Sequence, residues 1–427
     1  MAKGNVYVYV QNIDGEPLMP TRRCGKVRRM LKSGQAVVVK REPFTIKLTY
    51  ETTDFIQDVT LGVDAGSKTV GVSACTKTEE VYASEVELRD DITDNLGTRR
   101  EYRRSRRNRK KRYRKPRFNN RVHSKNKGWL APSVEAKIGT HIRVIKDVMK
   151  ILPISNMVIE GAAFDTQKIK AILNGEKIPE GTDYQKGEQS DFFNVREYVL
   201  HRDNHICRCC KGKSKDKILE VHHIVSRKTG GDSPNNLVTL CRTCHENYHR
   251  GIIDLPDNIK KPQSMKDAAF MGIMRWTLYN RLKEEYPDMV KLTYGYITKS
   301  VRIEHDLEKS HTADARCIAG CPDAKELGYY FYQKKVRNHN RQLHKANILK
   351  GGIRKSNQAP KYVEGFRLFD KVKYNNVECF IFGRRSSGYF DIRKLDKTKV
   401  HASVSYKKLK LIERSKTLLT ERRMRGA

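Results

Sequence analysis

Five cysteines fall within 38 positions, as Cys207, Cys209, Cys210, Cys241 and Cys244. The two CxxC pairs, Cys207/Cys210 and Cys241/Cys244, supply four thiolates, the ligand set of a closed tetrahedral zinc site whose metal contributes folding energy outright. A CxC knuckle using Cys209 in place of Cys210 is one alternative, and four reduced thiols without metal is another. Thirty residues separate the pairs, more than a simple zinc ribbon needs, so something is housed between them. That stretch holds His222-His223, a Gly230-Gly231 turn, and Asn236 ahead of an apolar LVTL run; His245 and His249 follow, four residues apart. A lone histidine pair would read as packing at a strand end. The Asn and the second pair at i, i+4 argue for chemistry instead.

Three carboxylates far apart in the chain are candidates for a second centre. LGVDAGSKTVGVSAC, residues 61–75, reads as an antiparallel hairpin with Asp64 near the end of its first apolar strand. NMVIEG reads as a short buried strand with Glu160 at its end. HTADA continues a helical period that places His311 and Asp314 one turn apart on one face. Alone, Asp64 is explained by a buried turn cap and Glu160 by a satisfied strand-end acid. Together, an RNase H-like α/β sheet would gather all three, and acids so gathered repel unless cations lie between them. Two Mg2+ about 4 Å apart is the usual solution for phosphoryl hydrolysis.

These side chains need elements to hold them. Residues 5–50 read as a small α/β unit: a VYVYV strand, the turn-forming DGEP, then PLMP. A helix with Val27, Met30 and Leu31 on its apolar face ends near Gly34, and two strands come after it in AVVVKREPFTIKL. The basic face of that helix (Arg22, Arg23, Lys26, Arg28, Arg29, Lys32) suits nucleic acid. The spacing predicts a helix over 141–153 and helical structure again from 255, through KDAAFMGIMRWTLYNRLKEEY, with a further helical stretch between 294 and 321. A polar linker occupies 161–190, a basic segment 334–350, and four alternating strands within 361–413 read as a small all-β module.

Charge names the partner. Lys and Arg number 86 against 49 Asp and Glu, a formal +37 over 427 residues, and a field of that sign needs a polyanion. It is concentrated in 99–117, RREYRRSRRNRKKRYRKPR, where thirteen Lys/Arg face one Glu with no Pro until Pro116. Such a segment reads as a helix basic on every side, with Arg99, Arg100, Arg103, Arg104, Arg106, Arg107, Arg109, Lys110, Arg112 and Arg114 set to neutralise phosphates. A membrane partner is not expected: no apolar run approaches the ~18 residues of a spanning helix, and MAKGNVYVYV lacks a signal-peptide apolar core. The chain reads as intracellular and cytoplasmic.

The order His222-His223, Asn236, His245, His249 inside a four-cysteine frame resembles the HNH, or ββα-metal, nucleases. That resemblance implies His223 as the base that activates water. It makes His222 and His245 ligands of one Mg2+, with His249 a third ligand or a phosphate contact, and Asn236 a brace for the His223 loop. VDAGSKTVG, VIEG and HTADA resemble the three split segments of a RuvC-type nuclease, which implies Asp64, Glu160 and Asp314 as ligands of two Mg2+ and His311 as the group that activates or orients water. The full order, headed by Pro17-Leu18-Met19-Pro20, is similar to the IscB family of transposon-encoded RNA-guided DNA nucleases, relatives of the type II CRISPR effectors. This implies an α/β multidomain protein with seven parts: a PLMP domain (1–52), RuvC-like segment I (53–97), an arginine-rich bridge helix (98–125), RuvC-like segment II with a linker (126–187), a zinc-bound HNH domain (188–254), RuvC-like segment III (255–330), and a basic segment with a C-terminal β module (331–427). It also implies an omega-type guide RNA in a 1:1 complex, a double-stranded DNA target with an adjacent motif, HNH cutting of the guide-paired strand and RuvC cutting of the displaced one. A nuclease of junction or homing type working without RNA, and a guided binder with decayed catalysis, are the competing expectations.

Overall fold

The structure, a computed structural model, describes residues 6–53, 55–108, 128–161, 195–225, 236–256, 259, 266–337, 346–348, 354–356 and 360–425. The predicted linker beyond Gly161, the Gly230-Gly231 turn and the bridge segment beyond residue 108 lie outside these residues. Two compact units emerge: residues 1–163 with 278–427, and residues 164–277.

The larger unit begins with the expected α/β motif. Strands β1 (Val8–Gln11), β2 (Pro17–Thr21), β3 (Ala36–Lys40) and β4 (Thr45–Leu48) form a sheet in the order β2-β1-β4-β3, and helix α1 (Cys24–Lys32) crosses between β2 and β3. Val27 and Met30 of α1 are buried with Val8, Val10 and Ile46 of the sheet, leaving the basic helix face outward. PLMP is therefore a strand, paired antiparallel to β1.

A seven-stranded sheet comes next. Its strands are β5 (Val59–Ala65), β6 (Thr69–Cys75), β7 (Glu80–Glu87), β8 (Ile154–Gly161), β11 (Val290–Tyr294), β12 (Tyr329–Lys335) and β20 (Leu418–Met424), in the order β11-β8-β5-β6-β7-β12-β20. The β5–β6–β7 meander is antiparallel, whereas β8 runs parallel to β5 and β11 parallel to β8. Val59, Leu61, Val63, Val70, Val72, Met157 and Ile159 have no measurable exposure, the near-continuous apolar character of strands covered on both faces. Helices α2 (Ile92–Asn108) and α3 (Pro132–Met149) lie between β7 and β8 in sequence. The helix expected over 141–153 thus starts nine residues earlier, at a Pro suited to a first turn, and α2 starts before the arginine run.

Two departures from expectation lie beyond residue 290. The stretch expected to be helical from 294 to 321 is broken into α7 (Gly295–Glu304) and α8 (His311–Ile318); Asp306 has φ 49°, and Ser310 caps the new helix by accepting the Ala313 N–H at 3.0 Å. The strands from residue 329 onward divide among three sheets. Strands β15 (Lys371–Tyr374), β16 (Val377–Arg384), β17 (Tyr389–Arg393), β18 (Lys399–Ser405) and β19 (Lys410–Glu413) make the expected β module, closed over Val372, Ile381, Phe390 and Ile392, and β13 (Ala346–Ile348) pairs with β14 (Arg354–Ser356). Strands β12 and β20 belong to the large sheet instead. Arg425, just past β20, explains the return: its guanidinium reaches the fully buried Glu80 carboxylate at 2.8 Å, which also accepts from Ser73 and the Leu327 N–H. A charge buried so deeply needs this partner.

The smaller unit contains α4 (Val195–Arg202), a β9–β10 hairpin (Leu219–His223 and Leu237–Cys241) and α5 (Arg242–His249). Asp203 ties α4 to the hairpin by accepting the Thr239 N–H at 2.9 Å. Helix α6 (Lys266–Glu285) links the two units along the chain.

Candidate functional site

In the smaller unit the ligand sulfurs of Cys207, Cys210, Cys241 and Cys244 lie within 4.8 Å of one another, and Cys209 stands outside the set. The CxC alternative is thereby set aside. Cys241 is also the N-cap of α5, accepting from the Cys244 N–H, so one residue both closes the sulfur cluster and starts the helix that carries His245 and His249. Burial pushes the Cys207 and Cys244 thiols up, while the Ser214 hydroxyl and nearby backbone N–H groups overcome burial at Cys210 and draw it down to about 6. Four thiols crowded so closely match the donor set of zinc.

The two strands of the hairpin and α5 then bring three imidazoles together. His222 Nδ1 and His249 Nε2 each lie 3.1 Å from His245 Nε2. Nitrogens at zinc- or magnesium-type bond lengths of ~2.1 Å from one ion stand about this far apart. The residue that orders them is Glu220, which motif spacing alone does not reveal. Its carboxylate accepts from His245 Nδ1 at 2.5 Å, which fixes the tautomer and leaves the Nε2 lone pair bare. Strand alternation on β9 is the signal that identifies it, since Glu220 and His222 sit two apart and share a face. Burial, then the neighbouring His245 and His249, lowers the His222 pKa to about 4, which keeps that ring neutral. His223, next along β9 and opposite Leu237, occupies the other face. Asn236 is 1% exposed and brackets Val225, accepting its N–H at 2.8 Å and donating to its carbonyl at 2.9 Å, so the chain leaving His223 is pinned on both backbone groups.

In the larger unit the acids collect at one end of the seven-stranded sheet. The β5–β8 register pairs Val63 with Ile159, so Asp64 and Glu160 come next on neighbouring parallel strands. Helix α8 lies directly on this sheet because two positions have no side chain: a Cβ on Gly62 would fall 1.9 Å from the Ala315 carbonyl oxygen, and one on Gly71 would fall 2.0 Å from that of His311. This close seating puts His311 Nδ1 2.7 Å from the Asp64 carboxylate, a hydrogen bond that raises the histidine pKa. Burial, and then the charge of Asp64, raises the Asp314 pKa. Arg302 of α7 lies 3.1 Å from Asp314 and also donates to the Leu307 carbonyl. Glu160 reaches the start of α7, where a Cβ on Gly295 would fall 2.8 Å from its carboxylate. Among the described residues, the only groups of three or more such side chains with donor atoms mutually within 4.8 Å are the four cysteines and the three histidines; the acids do not form a third, and each has its own partners. Like charges held close, with Asp314 raised by Asp64, are an environment that a cation would relieve.

Of the predicted phosphate-contacting residues, Arg99, Arg100 and Arg103 lie on α2; Arg104, Arg106 and Arg107 belong to its last turns, and Arg109, Lys110, Arg112 and Arg114 lie outside the described residues.

A model of HNH endonucleases matches residues 207–251, and the smaller unit therefore carries an HNH endonuclease domain. A model described as RRXRR protein matches residues 8–187, a span that includes Arg103-Arg104-Ser105-Arg106-Arg107. No curated protein matches the sequence. Among solved structures, the chain is similar to Streptococcus thermophilus Cas9 in complex with the GGAA PAM, at 13% identity and a TM-score of 0.33 over 54% of this chain and 30% of that one. It is also similar to the same species' Cas9 in complex with AGGA PAM (16% identity, TM-score 0.30, 45% of this chain and 26% of that one). The Type II-C Cas9 of Actinomyces naeslundii is a third (11% identity, TM-score 0.19, 62% and 59%). The chain spans about a third or less of the Streptococcus thermophilus chains it resembles. Among the described residues, no helix is long and apolar enough to cross a membrane.

Proposed function

We propose that this protein is an RNA-guided DNA endonuclease of IscB type that cuts both strands of a matched duplex at two separate centres. The observation that carries the reading is the convergence of His222, His245 and His249 at 3.1 Å, ordered by Glu220, inside an HNH endonuclease domain. In the smaller unit these three histidines hold one divalent cation, the four cysteines hold zinc, and His223 takes the proton of the attacking water while Asn236 keeps its loop in place. In the larger unit Asp64, Glu160 and Asp314 hold two Mg2+, and His311, oriented by Asp64, positions the water of a RuvC-like reaction. Divalent cations bound at these places would neutralise charge developing on the phosphate and on the leaving oxygen.

The formal +37 and the arginine run of α2 support a bound polyanion. An omega-type guide RNA in a 1:1 complex serves as that partner and selects a double-stranded DNA target beside a short motif read by the C-terminal β module. The HNH centre cuts the guide-paired strand and the RuvC-like centre the displaced one, in a prokaryotic cytoplasm and at the nucleoid during targeting. Purification from cells encoding the flanking DNA tests this: a structured RNA should accompany the protein, and duplex cutting should require it. Equal cutting by RNA-free protein would refute the guided reading and favour a junction or homing nuclease.

A further inference from the structure

Lys40, the last residue of β3, is half-buried, and its side-chain ammonium makes no hydrogen bond or ion pair among the described residues. Burial lowers its pKa, with Asp147 opposing, so the charge is held at a cost and lacks a direct counter-ion. It faces a cavity of about 280 Å³ where three parts of the larger unit meet: β3, the end of α3, and the β19–β20 turn. Every carboxylate lining this cavity is already engaged by another cation. Asp147 is 3.2 Å from Arg143, Glu413 is 2.6 Å from Lys416, and Glu42 is paired with Lys371. Lys150, at the same rim, has no side-chain partner among the described residues. The same cavity is lined by apolar side chains as well, among them Val39, Leu418 and the half-buried ring of Phe369.

Two unpaired cations beside an apolar, aromatic wall fit a ligand that is anionic at one end and flat at the other. The volume is at the small end of the ~300–1,000 Å³ range of ligand pockets. We propose that this cavity receives one unstacked nucleotide of a bound polynucleotide, its phosphate on Lys40 and Lys150 and its base against Phe369 and Leu418. Proteins that hold single-stranded segments use this combination of backbone cations and a stacking face. That the ligand belongs to a polynucleotide rests on the proposed function; the site itself does not depend on guided cleavage.

The test uses full-length, nuclease-treated protein and equilibrium dialysis with AMP, dAMP and inorganic phosphate. Either nucleotide should bind at least tenfold more tightly than phosphate, and the Lys40→Gln/Lys150→Gln pair should weaken it tenfold or more. Val39→Trp, a change at a residue about half exposed, fills the cavity and should remove nucleotide binding while both lysines remain. Tighter AMP assigns the site to RNA, tighter dAMP to a DNA strand, and equal affinity to a unit common to both; each upholds the proposal. Phosphate binding as tightly as the nucleotides, no binding of either nucleotide, or affinity unmoved by the variants overturns it. A guided nuclease could fail this test, and a protein lacking a guide RNA could pass it.

Discussion

The histidine centre and the acidic centre reach order by opposite routes. The histidine centre is local: its ligands, its carboxylate Glu220 and its Asn236 brace fall between residues 220 and 249, on one hairpin and one helix fixed by the cysteine cluster. The acidic centre draws on segments as far apart as Asp64 and Asp314, and no local frame holds it. It depends on a bare patch of sheet backbone at Gly62 and Gly71 and on a helix seated against it. The histidine centre already has three donors converged. The acidic centre carries mutual repulsion, relieved by His311 and Arg302. A centre built from neighbours is therefore sensitive to loss of its frame, and one built from distant segments is sensitive to packing.

Substitutions should separate the two. Cys241→Ser removes a zinc donor and the α5 cap together; zinc content should fall well below one equivalent, the smaller unit should melt, and guide-paired cutting should vanish while displaced-strand cutting persists. Gly62→Ala does the reverse: its methyl meets backbone atoms of α8, and a helix displaced by about 1 Å should cost displaced-strand cutting on the order of 10²-fold with zinc retained. Retention of full displaced-strand activity would mean that α8 does not need its close seat. Glu220→Gln should lower metal affinity or guide-paired cutting roughly 10–100-fold, visible as a rightward shift in the Mn2+ dependence of that strand alone. Arg302→Gln should have the smallest effect, about 1 kcal/mol or roughly fivefold in displaced-strand rate at limiting Mg2+, because the pair is partly solvated.

The local centre is the more legible in sequence because its parts lie close together along the chain. Spacing of cysteines and histidines over 43 positions, Cys207 to His249, is a short-range signal, and the structure brings together four of the cysteines and three of the histidines so identified. Glu220 is not legible in the sequence, because a glutamate in a strand has no motif of its own, only an alternation with His222. At the distant centre the acids were visible as strand-end and helix-face residues, but the seating glycines were not, since what a missing Cβ permits depends on a helix that begins only at His311. The break at Asp306 and the return of β20 to the large sheet share that cause: a positive φ and the Glu80–Arg425 pair are settled by tertiary contacts that no local pattern encodes.

Strand-labelled cleavage by His223→Ala and Asp64→Ala tests the central claim most directly. The two-centre account predicts two nickases with RNA and target binding intact. His223→Ala should spare the guide-paired strand, with residual cutting at long times because a positioned base contributes roughly 10²–10⁴-fold. Asp64→Ala should spare the displaced strand. Loss of both cuts in either variant with binding unchanged, or loss of neither, would contradict the assignment of one strand to each centre.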